Sequence, residues 1–145
     1  MTVSKRILVP LDFSEQSLRA LAYAKTLGKS LAASLHLLHV IPNPFIAHPG
    51  GLYAPLPQPF LDDLEQDART RLDEACPSDE REAFSVRSVV KVGDPLFEIV
   101  EYARLEHVDL IVIGTHGRTG IPHLFLGSVA ERVVRTAPCP VLTVR

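Results

Sequence analysis

Four small residues fall at wide spacing late in the chain: Gly114, Gly117, Gly127 and Ser128. The first two belong to the run Gly114-Thr115-His116-Gly117-Arg118-Thr119-Gly120. The chemistry open to such a set is anion binding by the backbone. Glycine lets peptide N–H groups approach a ligand with no Cβ in the way. Gly127-Ser128 opens a helical pattern, Ser128 to Thr136 (SVAERVVRT). The start of a helix presents orphan N–H groups and the positive end of the dipole, which favour phosphate. The Ser128 hydroxyl can bond a phosphate, directly or through a Mg²⁺ ion. It can equally be an N-cap worth about 1 kcal/mol. Gly114 and Gly117 can serve a tight turn and nothing more, but a turn does not need Gly127-Ser128 further on. Arg118 is the one fixed positive charge in the loop. It can pair with phosphate through its guanidinium fork or stay solvated. His116 is equally ambiguous.

Asp12 is the second group of interest. It follows the apolar run Arg6 to Leu11 (RILVPL) at its carboxyl end. A carboxylate there can accept hydrogen bonds from ribose hydroxyls or an exocyclic amine. It can also form an Asx-turn or cap near Ser14, and the two roles can coexist. Other chemistries lack their residues. There is no G-x4-G-K-[ST] motif and no GxSxG elbow. The histidines show no HxH or HExxH spacing, so a metal site made by protein side chains alone is not expected. Any Mg²⁺ would be held through Ser128 and phosphates. No carboxylate in the loop is placed to activate water. Positioning without a base predicts nucleotide binding with slow turnover at most, not an efficient enzyme.

These groups need strands and helices to position them. Arg6–Leu11, Ser34–Ile41, Ser85–Val92, Val108–Ile113 and Pro140–Val144 are the expected strands. Ser14 is the expected cap of a helix ending near Gly28, with Leu18, Leu21, Ala22 and the stem of Lys25 on its inner side. Leu61 to Cys76 carries Leu61, Leu64, Ala68, Leu72 and Ala75 on one expected face. Asp94-Pro95 starts a helix carrying Ile99, Val100, Ala103 and Leu105. Pro42 to Pro59 holds six prolines and two glycines and is expected to be a long irregular loop. Strict alternation of strand and helix implies an α/β fold. The expected form is a single-domain open parallel five-stranded sheet with helices on both faces, Rossmann-like.

The bulk composition agrees with a globular chain of this kind. The 145 residues are 46% apolar and 22% charged, with a net charge of −2. That charge gives no general reason to bind nucleic acid or an anionic membrane. The start lacks an apolar leader and no apolar run is long enough to span a bilayer. Cys76 and Cys139 lack metal spacing and read as reduced structural thiols, so a cytoplasmic location is expected.

Several matched pieces give the chain a resemblance to the universal stress protein family over its full length. Val9-Pro10-Leu11-Asp12-Phe13-Ser14 is similar to the family's first strand and turn, and Leu38-His39-Val40 to the end of its second strand. Gly93-Asp94-Pro95 resembles the turn before its third helix. Gly114-x2-Gly117-x9-Gly127-Ser128 matches the family's G-x2-G-x9-G-[S/T] nucleotide loop. Pro138 to Val144 resembles its last strand. The resemblance implies one universal stress protein domain over 1–145, of the adenine nucleotide alpha hydrolase-like type, in the ATP-binding subgroup. Asp12 would contact the adenosine and its ribose, and Val40 the adenine edge through backbone groups. Gly114, Gly117, Gly127 and Ser128 would wrap the ribose and phosphates. Pro10, Ile113, Thr115, His116, Arg118, Thr119, Gly120 and Val129 complete the implied ATP site.

The expected function is therefore a nucleotide-dependent switch or sensor in a stress response, with ATP and Mg²⁺ as ligands. The alternatives are a slow ATPase or phosphoryl or nucleotidyl transferase, and a binder of AMP or cyclic AMP. The Pro42–Pro59 segment starts beside Val40 and is either a lid over the base or a surface insertion. Val141, Leu142 and Val144 belong to a short apolar last strand. At a sheet edge it would pair with its copy in a homodimer, which the resemblance also implies.

Overall fold

The computed structural model describes residues 4–42, 45–47, 50–51, 53–115 and 126–145. Along them run β1 (Arg6–Pro10), α1 (Glu15–Leu31), β2 (Ser34–Pro42), β3 (Phe45–Ala47) and β4 (Tyr53–Pro55). Then come α2 (Gln58–Ala75), α3 (Ser78–Ala83), β5 (Arg87–Gly93), α4 (Pro95–Leu105), β6 (Leu110–Gly114), α5 (Ser128–Thr136) and β7 (Val141–Val144). Five strands form one sheet in the order β5-β2-β1-β6-β7. Every pair in it is parallel. This is the α/β architecture expected from the sequence.

The strands are buried because both faces of the sheet are covered. Alternate residues of β1 and β6 enter different cores, as the period of two requires. Ile7, Val9 and Val112 pack with Ala20, Leu21 and Ala24 of α1 and Leu72 of α2. Leu8, Ile111 and Ile113 pack with Ile99 and Ala103 of α4 and Ala130 and Val133 of α5. Leu8, Leu35, Leu37 and Ile111 are wholly shielded from water. Burial of each such side chain stabilises the fold by about 1.5–3 kcal/mol.

Helix α1 corrects the expected face. Its buried residues are Ser17, Ala20, Leu21, Ala24 and Gly28, whereas Leu18 and Ala22 are exposed. Small side chains on the inner stripe let the helix lie close to the strands, so apolarity alone placed Leu21 correctly but misplaced Leu18 and Ala22. Gly28 does not end the helix. A Cβ there would lie 3.2 Å from Leu35 Cδ2, so the glycine serves close packing on β2. The helix runs three residues further and closes at Ala32, whose φ of 50° supplies the left-handed cap.

Other expectations shift at their edges. In α2, Ala68 and Leu72 are buried but Leu64 is exposed; in α4, Ile99 and Ala103 are buried but Leu105 is exposed. Strand β6 begins at Leu110, not at Val108. The alternation is not strict. An antiparallel β3–β4 hairpin occupies part of the expected irregular loop, and the short helix α3 follows α2. Proline within Pro42–Pro59 signalled a loop, yet Pro59 lies in the first turn of α2, where its missing N–H costs no helical bond.

A buried polar pair lies between β2 and α4. His36 Nδ1 lies 2.8 Å from the Tyr102 hydroxyl. Burial, helped by Arg87, pushes the His36 pKa below its ordinary value. Both cysteines are free thiols, with Cys76 buried and Cys139 partly so.

Candidate nucleotide site

The chain leaves β1 toward β2 and β5 on one side of the sheet, then returns to place β6 and β7 on the other. The order reverses between β1 and β6. Parallel sheets open a crevice at the carboxyl ends of strands at such a switch point. Pro10 closes β1 there and is buried. Ile113 and Gly114 close β6, and both are buried. Val40 lies near the carboxyl end of β2, beside β1, and packs partly against the core under α4 and α5.

Asp12 sits in the turn between β1 and α1. Its Oδ1 accepts the Ser14 N–H at 2.9 Å, which makes the Asx-turn. Ser14 caps α1, its Oγ accepting the Ser17 N–H at 3.2 Å. Phe13 between them has φ 64°, in the left-handed region. Two groups from other elements contact its ring. The His39 ring is 4.7 Å away and tilted by 34°, and Arg71 Cζ lies 4.3 Å from the ring centroid. His39 also bonds the Leu11 carbonyl through Nδ1 at 2.6 Å, so Nδ1 carries the proton. Phe13 and Arg71 were absent from the expected site. Arg71 reaches it from α2, and no local pattern in the sequence joins it to Asp12.

At the other wall, Gly114 has a role beyond a turn. An added Cβ would meet the Gln16 carbonyl carbon at 2.8 Å and the Ser17 nitrogen at 3.0 Å. The end of β6 thus packs directly on the first turn of α1, which brings the Asp12 turn and the start of the glycine loop together. Thr115 is buried; its N–H donates to the Val144 carbonyl at 2.9 Å. The Thr115 carbonyl accepts the Gly127 N–H. That bond draws the start of α5 back to the end of β6. Gly127 is the N-cap of α5, with φ −55°, and its carbonyl accepts the Glu131 N–H. Ser128 is therefore the first helical residue and not the cap. It is exposed, and Val129 packs partly into the core. His116, Gly117, Arg118, Thr119 and Gly120 lie outside the described residues. Among the described residues, no group of His, Cys, Asp and Glu is placed to hold a metal ion, and no helix is long and apolar enough to cross a membrane.

Comparison with known proteins agrees with this architecture. The profile of the universal stress protein family matches residues 4–145. Universal stress protein MJ0531 of Methanocaldococcus jannaschii is 35% identical over 97% of this chain and 82% of its own. The structure of universal stress protein UspA from Lactobacillus plantarum superposes with a TM-score of 0.77 at 25% identity, covering 100% of both chains. A universal stress protein in complex with cAMP superposes with a TM-score of 0.62 at 26% identity, covering 99% of this chain and 98% of that one.

Proposed function

The chain belongs to the universal stress protein family, and we propose that it binds ATP at the β1/β6 crevice and acts as a nucleotide-dependent switch in a stress response. The observation that carries this is the tie between three pieces. Gly114 seats β6 on α1, Thr115 holds Gly127, and α5 therefore begins at the same carboxyl end of the sheet as the Asp12 turn. The proposed nucleotide lies across that arrangement in one direction. Its adenosine lies toward Asp12 and Val40, at the ends of β1 and β2. Its phosphates lie toward Gly127, Ser128 and Val129, where the first N–H groups of α5 have no partner in the preceding helical turn. Gly114 and Thr115 line the middle, with Pro10 and Ile113 beneath. Gly117 and Arg118, with His116, Thr119 and Gly120, complete the loop in the proposal. Mg²⁺ would be shared between the Ser128 hydroxyl and phosphate oxygens. The proposed role is binding and not turnover, because no described carboxylate besides Asp12 belongs to the site and Asp12 is committed to its own turn.

A second reading is cyclic AMP, favoured by the structural neighbour bound to that ligand. Isothermal titration with ATP, AMP and cAMP, each with Mg²⁺, separates the two. The proposal expects ATP to bind more tightly than AMP, since a longer phosphate chain reaches α5 and Arg118. Binding of cAMP alone would replace ATP with the cyclic nucleotide. No heat and no thermal stabilisation with any of the three would refute the site, because a ligand of the native state must raise stability by mass action.

A further inference from the structure

The Asp12 turn is anchored by side chains to which the nucleotide proposal gives no role. On one side, Leu11 is fixed by the His39 Nδ1–H on its carbonyl and by its own N–H on the Leu38 carbonyl at 2.8 Å. On the other, Phe13 holds a left-handed backbone that a bulky residue seldom adopts. Such a conformation persists only where its surroundings enforce it. The surroundings here are the buried core on which Phe13 packs, the His39 ring and the Arg71 guanidinium; of these, Arg71 alone brings a charge to the ring. Arg71 lies 4.3 Å from the Phe13 centroid, inside the range of a cation–π contact. Its ion pair with Asp67 is long, 4.0 Å, and joins two partly or largely exposed side chains, so it does not explain the placement of the guanidinium.

We infer that Arg71 is a positioning residue: by stacking on Phe13 it holds the left-handed turn, and so holds the Asp12 carboxylate where the adenosine end of a nucleotide meets it. The inference rests on the proposed function and adds to it a residue from α2. It has a definite consequence. Arg71 acts at the adenosine end, so its removal changes the affinity for every adenine nucleotide by one common factor. It acts through the ring, so its effect vanishes when the ring is gone.

The test is titration of ATP and AMP into wild type, Arg71→Ala, Phe13→Leu and the double variant, with thermal unfolding of each nucleotide-free protein as a check on folding. The expected result is that Arg71→Ala weakens ATP and AMP alike, by about two- to fivefold. The double variant should bind no more weakly than Phe13→Leu. Unchanged affinity in Arg71→Ala overturns the inference. A loss confined to ATP also overturns it, by assigning the guanidinium to phosphate. Additive losses in the double variant do the same, since independent sites add and coupled ones do not. If Arg71→Ala fails to fold, the ring alone decides: Phe13→Leu with wild-type affinity for both nucleotides refutes the positioning role. A wild type that binds no adenine nucleotide brings down the proposed function itself, and this inference with it.

Discussion

A methyl group added at Gly114 would sit 2.8 Å from the Gln16 carbonyl carbon and 2.9 Å from its oxygen. Both are backbone atoms in the first turn of α1, so neither can swing away as a side chain could. Gly114→Ala is therefore predicted to destabilise the fold by about 1–3 kcal/mol, the usual cost of overpacking. Urea unfolding measures this, and an unchanged midpoint would show that β6 and α1 can separate cheaply. The neighbouring positions behave differently. Gly127 has φ −55°, which any residue adopts. A side chain there costs no left-handed strain, so an effect of Gly127→Val on a ligand would come from its bulk. The glycine spacing was visible in the sequence, but these separate reasons for each glycine were not. They depend on what lies opposite, and Gln16 is far from Gly114 along the chain.

The elements were legible in proportion to how strongly their residues repeat. The continuous apolar runs around Leu8, Leu37 and Ile111 gave the buried parallel strands, because both faces of such strands are covered. The cap at Ser14 and the proline start at Asp94-Pro95 were also plain, and Asp94 does accept the Phe97 N–H at 2.9 Å. The inner face of α1 was not, because a helix pressed close to a sheet selects small residues over large apolar ones. The β3–β4 hairpin was hidden by prolines, which tolerate strand ends and edges. That hairpin follows β2 in the chain, so a lid here would be a paired element and not a bare loop. If it covers the base, amide exchange over residues 45–47, 53 and 54 slows at saturating ATP. Identical exchange with and without ATP would make the hairpin a surface insertion.

At the scale of the whole molecule, β7 has β6 on one side and, among the described residues, no strand on the other. We propose that this edge pairs with its copy in a twofold dimer involving Val141, Leu142 and Val144. Leu142 and Val144 also pack against the core under α1 and α2, so a charge at Leu142 would test that core as well as the edge. A cleaner probe comes from the alternation of the strand. The Pro140 and Val144 carbonyls face β6, bonding the Ile111 and Thr115 N–H groups. Val141 and Thr143 therefore turn their peptide groups to the open side. Thr143→Pro removes an outward donor and leaves the β6 ladder intact. Sedimentation equilibrium should give wild type near twice 15.9 kDa and Thr143→Pro shifted toward monomer; a monomeric wild type at high micromolar concentration excludes the interface. The nucleotide site itself is tested by calorimetric titration of Mg-ATP into wild type and Gly127→Val. Wild type should show saturable one-site binding, and the variant should lose that binding while still unfolding cooperatively. Equal ATP affinity in the two folded proteins would contradict that site.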